Sequence, residues 1–231
     1  KTGNKGLILS RQLKKYIAED PETKHQMALP LVVFLHIWRT SSNRKTKAMA
    51  QLIVAALFFG LRSCEYTEVT GQSKTKKLTV NDIRFFINRR EIPKTKEYLR
   101  ILQYALSVSI TFIDQKNRQK YVTITQHVLA KEICSMKVWT TIMVWVLAYP
   151  NTGLDREVDV FDAGVDKLQH AQASDVARLL KTAVTWISKE NLGFNTLHVG
   201  THLICTSFAM LLFLQHVHPS TIMLQGRWSS N

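Results

Sequence analysis

Residues 49–65 read MAQLIVAALFFGLRSCE, and this stretch decides the fold prediction. Apolar side chains recur at intervals of three and four residues from Met49 to Phe59, and the opposite side of the same helix is also apolar. A helix that is apolar all round is buried on most of its sides. Gly60 then ends it, because glycine readily takes the left-handed backbone conformation found at helix C-termini. The sequence therefore predicts a central helix inside a globular domain.

The residues after that helix carry charge in an apolar setting. Arg62 comes two positions after Gly60, and Ser63 is suited to cap a second, short helix. An arginine at the end of a buried helix needs a partner, since burying a lone charge is expensive. In a purely structural interpretation, Glu65 is that partner. In a functional interpretation, Arg62 directs its planar guanidinium at a phosphate and Glu65 holds it in place.

The remainder of the chain predicts an α+β fold, mostly α with a small antiparallel β-sheet of about three strands. Residues 107–125 alternate between apolar and polar side chains on both sides of a polar turn, which is typical of a β-hairpin with a basic tip. The segment 78–88 predicts a further strand, and 151–173 a loose acidic connection. Further helices are predicted over 26–39 (with Pro30 in its first turn or breaking it), 138–149, 174–193, 201–216 and 220–225.

Charge is the first indication of function. The 231 residues include 31 Lys and Arg against 17 Asp and Glu, a formal net charge of +14. Residues 1–150 hold 25 basic and 10 acidic side chains, a net of +15, whereas residues 151–231 hold 6 and 7, a net of −1. A field of this sign favours a polyanionic partner, either nucleic acid or an acidic membrane surface. A solvated basic face without such a partner is the alternative.

Composition limits the class of protein. Hydrophobic residues make up 45% and charged residues 21%, which excludes wholesale disorder and low-complexity classes. The apolar runs are shorter than the roughly 18 residues of a membrane span, and no secretory leader opens the chain, so no membrane partner is expected. Three widely spaced cysteines predict reduced thiols in an intracellular protein.

Four segments, taken in order, resemble the catalytic domain of the tyrosine recombinases (phage-integrase family), particularly its eukaryotic mobile-element branch. FFGLRSCE at 58–65 resembles the family's first-arginine motif, and FIDQKN at 112–117 resembles its hairpin-lysine motif. GTHLIC at 200–205 falls where the family has a His-x-x-Arg motif, and GRWSS at 226–230 resembles the segment with its second His or Trp. Each motif alone is weak, and four in order are a stronger signal. The resemblance covers residues 24–231. It implies that 1–23 are a basic connector to an N-terminal DNA-clamp domain.

The resemblance implies DNA strand breakage and rejoining. A tyrosine hydroxyl attacks a phosphodiester, forming a 3′-phosphotyrosyl link and releasing a 5′-hydroxyl, so neither ATP nor a metal or other cofactor is needed. Arg62 would clamp the phosphate and Glu65 would support it. Lys116 would be the general acid for the leaving oxygen. His202 would donate a hydrogen bond to the phosphate, and Trp228 would be a donor and packing wall.

Further implications concern partners. Double-stranded DNA is the expected partner, with tetramers on DNA for the full-length protein, a monomer for this chain and a nuclear location. Arg118 and Lys120 are fallback candidates for the general acid if the hairpin tip is shifted. The residues expected to contact DNA outside the catalytic set are Lys45, Lys47, Arg118, Lys120 and Arg227.

Two departures from the family pattern matter. Cys205 occupies the position of the second arginine, and a thiol cannot replace a bidentate cation. The nucleophilic tyrosine should follow Trp228 by roughly eight or nine residues, and all six tyrosines precede His202. Either the chain is part of a longer recombinase, or it is a degenerate copy that keeps the DNA-binding shape. We expect it to form no covalent DNA adduct.

Other functions remain open from the sequence. A non-catalytic DNA-binding or assembly module on the same fold is the main alternative, and a basic helical interaction domain without a DNA role is the other. A zinc site is a further hypothesis, because His and Cys are zinc ligands. No Cys-x-x-Cys pair exists, and no metal is expected. The five His and Cys residues in question are His198, His202, Cys205, His216 and His218.

Overall fold

The computed structural model describes seven stretches of the chain. Lys116 and Arg118, at the predicted hairpin tip, and the basic connector 1–23 lie outside the described residues, so their predictions stay predictions. The described residues are 27–68, 75–114, 120–128, 135–148, 153–164, 167–193 and 196–228.

The first two helices include most of the apolar stretch at residues 49–65. Helix α1 spans Leu31–Thr40, so the start predicted at position 26 is wrong: residues 27–30 are not helical, and Pro30 directly precedes the helix. Helix α2 spans Arg44–Phe59, where the Asn43 side chain accepts the Thr46 backbone N–H and caps it. Almost every residue of α2 from position 48 onward is buried, as its apolar faces predict.

The main sheet has four antiparallel strands. They are β1 (Ile83–Ile87), β2 (Arg90–Ile92), β3 (Ser107–Asp114) and β4 (Lys120–His127), in the spatial order β2-β1-β3-β4. The predicted hairpin is therefore confirmed as β3 and β4. The single strand predicted over 78–88 is wrong in part, because a 3₁₀ turn at Val80–Asp82 precedes β1. In that turn the Thr79 backbone N–H donates to the carboxylate of Asp82.

The second half of the chain is mainly helical. The predicted loose connection 151–173 contains a two-stranded antiparallel hairpin, which is a correction. Its strands are β5 (Val160–Asp162) and β6 (Leu168–His170), and a short helix α4 (Leu99–Leu102) precedes β3. The short helix α3 spans Ser63–Tyr66. The remaining helices are α5 (Ser135–Ala148), α6 (Ala173–Ile187), α7 (Lys189–Leu192), α8 (His202–Leu214) and α9 (Pro219–Gly226).

Helix α2 is the centre of the core. It packs against α1, α5, α6 and α8 and also against β5. The inner face of the sheet adds Phe85, Val108 and Ile110 to the same buried cluster. A mostly α fold with a small antiparallel sheet is thereby confirmed. Among the described residues, no helix combines the length and apolar character needed to cross a bilayer.

Candidate functional site

The candidate site begins where α2 ends. Gly60 has φ +57°, the left-handed conformation predicted for it, and its Cα faces the ring of Phe208 on α8. A Cβ at this position would lie 2.8 Å from that ring. The turn therefore brings α8 against the chain just before Arg62, which is the residue that precedes α3.

Glu65 on α3 is the anion at the centre of the site. It is fully buried, and its Oε2 accepts the backbone N–H of Arg62 at 2.8 Å. That bond satisfies one of the free N–H groups at the start of α3. The same carboxylate receives two side-chain bonds from Arg227, at 3.1 Å to Oε1 and 3.0 Å to Oε2. The residues that bond to this anion are thus at opposite ends of the domain sequence.

Arg227 directly follows α9 and is 1% exposed. Besides Glu65, its guanidinium donates to the Gly60 carbonyl at 3.0 Å and lies 3.5 Å from the centre of the Phe112 ring. Burial lowers the pKa of Arg227, and the neighbouring Glu65 carboxylate opposes that shift. The prediction that Arg227 contacts DNA is corrected, because its charged group faces the interior and is engaged there.

Arg62 is the exposed cation of the site. Its side chain is 19% exposed, and one terminal nitrogen donates to the carbonyl oxygen of Arg227 at 3.2 Å. The other, Nη1, lies 3.6 Å from the nearer Glu65 oxygen, an ion pair beyond hydrogen-bond distance. This Nη1 atom is itself buried, and within the described part of the chain it has no hydrogen-bond partner. Glu65 thus contacts Arg62 through the backbone bond and this ion pair, and its role as the support of a phosphate clamp stays a prediction.

Cys205 lies on α8 beside the same turn. Its Sγ donates to the Leu61 carbonyl at 3.0 Å. Burial, and then the charge of Glu65, raise the pKa of Cys205 to about 11. At neutral pH the side chain is therefore a thiol, which contributes neither positive charge nor a forked pair of donors to the site.

His202 and Trp228 flank this arrangement. His202 is exposed in the first turn of α8, three residues before Cys205, and its ring lies close over Gly200. The Trp228 indole covers Gly226, where a Cβ would lie 2.7 Å from the ring. Its edge contacts Phe208, with ring centres 6.3 Å apart.

The structure thus brings together three of the four motif segments by direct contacts. Arg62 touches the segment of Trp228 through the Arg227 carbonyl, and Cys205 touches the segment of Arg62 through the Leu61 carbonyl. The fourth segment contains Lys116, outside the described residues. Its preceding strand, β3, reaches the site through Phe112, which lies against the Arg227 guanidinium.

The remaining predicted DNA contacts lie at the surface. Lys47 and Lys120 are exposed, and the register of the hairpin places Lys120 opposite Asp114. Lys45 is partly exposed and forms an ion pair with Asp175 at 2.6 Å. The role of these three residues in DNA binding stays a prediction.

A second charged cluster escaped the sequence analysis. The ammonium group of Lys77 donates to Glu68, to Glu157 at 2.8 Å and to Asp159 at 3.2 Å. His170 approaches Asp159 at 3.3 Å. Burial tends to lower the pKa of Lys77, but the bonds to Glu157 and Glu68 outweigh it and raise that pKa above its usual value.

This cluster also bears on metal binding. The ligand atoms of Glu68, Glu157, Asp159 and His170 lie within 4.8 Å of one another, a spacing that suits a cation. Lys77 supplies one positive charge against three carboxylates, and its ammonium group already bonds to each of them where a metal ion would lie. The candidate zinc ligands from 198 to 218 do not form such a group among the described residues.

Arg227 is the main site residue whose role the sequence analysis missed. Its pairing with Glu65 joins positions far apart in the chain, and no local pattern signals such a contact. One signal in the sequence was a lack of hydrogen-bond donors for Glu65. A buried carboxylate requires more than one donor, and Arg62 alone could not supply all of them.

Comparison with known proteins adds little to this geometry. No protein-family profile matches the sequence. No curated protein sequence matches it either. A solved structure titled "FLP Recombinase-Holliday Junction Complex I" aligns over 100% of this chain and 52% of its own, with 12% identity and a TM-score of 0.45. The chain spans about half the length of that protein, and both similarity values are low, so site geometry and sequence motifs alone support the function proposed below.

Proposed function

We propose that this chain is the DNA-binding domain of a tyrosine-recombinase-type protein, and that its site holds a backbone phosphate of duplex DNA. One observation carries the proposal: segments from positions 60–65, 202–208 and 226–228, each resembling a recombinase motif, meet around a single buried carboxylate. Arg62 donates to the Arg227 carbonyl at 3.2 Å, and Cys205 donates to the Leu61 carbonyl at 3.0 Å. A coincidental set of motifs has no reason to converge in this way.

The donors at the site suit a phosphate. The Arg62 side chain is 19% exposed, and its buried Nη1 has no hydrogen bond among the described residues, so the guanidinium is not fully engaged. A guanidinium fork matches the oxygens of a phosphate better than an ammonium does. His202 is exposed one helical turn from Cys205 and offers a further donor. The formal net charge of +14 would draw a polyanion to the surface around these groups.

The reaction proposed for the full-length protein is strand breakage and rejoining. The tyrosine hydroxyl loses its proton and its oxygen bonds to the phosphorus, the bond to the 5′-oxygen breaks, and Lys116 protonates that leaving oxygen. Arg62 would stabilise the negative charge on the non-bridging oxygens. The thiol at position 205 cannot add to that stabilisation, and losing one such donor costs a factor of about 10²–10³ in rate.

A non-catalytic DNA-binding module is the second candidate, and Cys205 favours it. Its pKa of about 11 keeps the side chain neutral at the position where the family motif has an arginine. The two candidates share the phosphate grip and differ in cleavage. A nicked duplex that traps covalent intermediates separates them in the full-length protein, where a protein–DNA band on a denaturing gel would support catalysis and the absence of a band would favour the module.

Binding itself is tested by fluorescence anisotropy with a short labelled duplex at several salt concentrations. We expect the logarithm of the association constant to fall linearly with the logarithm of salt, and Arg62→Ala to reduce the slope by about 0.9, the value for one phosphate contact. Lys181→Met removes the same charge from the exposed surface of α6 and serves as the control. An unchanged slope in Arg62→Ala would remove the basis of the proposal.

Assembly and location belong to the same proposal. Self-association on DNA in the full-length protein, a monomeric state for this chain and nuclear location all follow from the family resemblance. Light scattering of the full-length protein with duplex tests the self-association. Light scattering of this chain tests the monomer, which a stable tetramer without DNA would contradict.

A further inference from the structure

Glu65 accepts three hydrogen bonds on its two oxygens, and one guanidinium fork already spans both oxygens. Arg227 takes both oxygens, at 3.1 and 3.0 Å, and the Arg62 backbone N–H takes a further position on Oε2 at 2.8 Å. The Arg62 guanidinium, which is equally able to form a forked pair with a carboxylate, is left 3.6 Å from Oε1. The two arginines therefore compete for one anion, and Arg227 holds it.

The outcome of this competition follows from burial. Arg227 is 1% exposed and has no access to water, so leaving its charge uncompensated is the costlier alternative. The Gly60 carbonyl and the Phe112 ring fix its guanidinium in place. Arg62 is partly exposed and can be solvated, so it loses less when it gives up the forked pair.

We propose that Arg227 is a positioning residue that occupies both oxygens of Glu65 and thereby keeps the partly exposed guanidinium of Arg62 out of a forked pair with Glu65, so that it can meet an oxygen of the bound phosphate. This inference rests on the proposed function and concerns a residue that orients the same site. Without Arg227, Arg62 would turn onto Glu65 and form the forked pair, and its donors would be lost to the phosphate. Arg227 acts here through Glu65 and does not touch the ligand.

These contacts predict a specific pattern of DNA binding among variants of Arg227 and Glu65. Arg227→Met removes the competitor but keeps a side chain that can still pack on Phe112. Arg227→Met combined with Glu65→Gln also removes the charge that would attract Arg62. If Arg227 works by occupying Glu65, the second substitution should reverse the effect of the first on ligand binding. A purely structural role predicts no such reversal.

The experiment measures anisotropy of a labelled duplex across a salt series for the wild type, Arg62→Ala, Arg227→Met and Arg227→Met/Glu65→Gln. We expect Arg62→Ala and Arg227→Met each to lower the salt slope by about 0.9, and the double variant to return it to the wild-type value. Lys181→Met is the charge-matched control. Circular dichroism at the assay temperature confirms that each variant is folded.

The outcomes separate the two proposals. If Arg62→Ala leaves the slope unchanged, the phosphate site itself is refuted. If Arg62→Ala lowers the slope while Arg227→Met does not, only the positioning role is refuted. A double variant that stays as weak as Arg227→Met also refutes the positioning role. Should Arg227→Met fail to fold, the double variant, in which both charges are removed, still decides: a slope lower than that of the wild type refutes the positioning role.

Discussion

Arg227 donates from both terminal nitrogens of its guanidinium to the carboxylate of Glu65, although 162 positions separate the two residues. Both side chains are excluded from solvent. The pair fastens the end of α9 to the start of α3, so the segments of Arg62 and Trp228 share one rigid connection. The geometry of the candidate site therefore depends on the integrity of a single buried ion pair.

Glu65→Gln should destabilise the fold strongly. The substitution leaves the buried Arg227 charge without its counter-ion, and breaking a buried pair from one side costs about 3–5 kcal/mol. Urea unfolding followed by circular dichroism measures the loss. Glu97→Gln, at an exposed position, is the control and should stay within about 0.5 kcal/mol of wild type. In Arg227→Met/Glu65→Gln the loss should be smaller than the sum of the single losses, and simple additivity would show that the pair is not coupled.

Cys205→Arg should strengthen DNA binding. A guanidinium at this position would lie beside Arg62 and add a second cation to the phosphate site. We expect the salt slope of duplex binding to rise by about 0.9, with tighter binding at every salt concentration. Cys205→Ser keeps a side chain of similar size and replaces the thiol donor with a hydroxyl donor, so this variant should bind DNA like the wild type. A Cys205→Arg protein that folds but binds with an unchanged slope would show that position 205 does not face the phosphate.

The thiol of Cys205 should be slow to alkylate below strongly alkaline pH. Its pKa is raised from 9.0 to about 11, so the reactive thiolate accumulates only as the pH approaches that value. The measurement is the rate of iodoacetamide labelling against pH in a Cys64→Ser/Cys134→Ser background. In denaturant the midpoint should fall towards 9.0, because burial and the Glu65 charge no longer act. A native midpoint equal to the denatured one would contradict the burial of this group beside Glu65.

Gly60→Ala should cost more than the same change at another left-handed glycine. Gly60 and Gly193 have φ values of +57° and +75°, so an alanine at either position carries a backbone penalty of roughly 1–2 kcal/mol. At Gly60 the new methyl group would also lie 2.8 Å from the Phe208 ring, whereas the space around Gly193 is open. Crowding of this kind adds about 1–3 kcal/mol. Thermal unfolding of the two variants gives the difference, and equal losses would mean that Phe208 moves aside freely.

Local patterns in the sequence were sufficient for the elements that depend on neighbouring residues. The apolar period from Met49 to Phe59 and the alternation in β3 and β4 arise from which face of a helix or strand is buried, and both predictions are confirmed. Gly60 is confirmed as the left-handed end of α2. These features need no information from distant parts of the chain.

The predictions that failed depend on distant contacts. The strands β5 and β6 have three residues each, too few to show an alternating pattern, and the segment is fastened by Lys77, which bonds to Glu157 and Asp159. Arg227 was expected to contact DNA, and its burial follows from its bonds to the carboxylate of Glu65, a residue 162 positions earlier in the chain. Tertiary partners of this kind leave no local signal.

The ammonium group of Lys77 also has a consequence for the conditions under which the protein works. It lies among Glu68, Glu157 and Asp159, and so cross-links the segment after α3 to the β5–β6 hairpin with a charge that belongs to the polypeptide. A junction held by calcium or magnesium would loosen whenever the free ion is depleted. Here the positive charge belongs to a side chain of the polypeptide itself. Chelators and changes in divalent ion concentration should therefore leave this part of the fold intact.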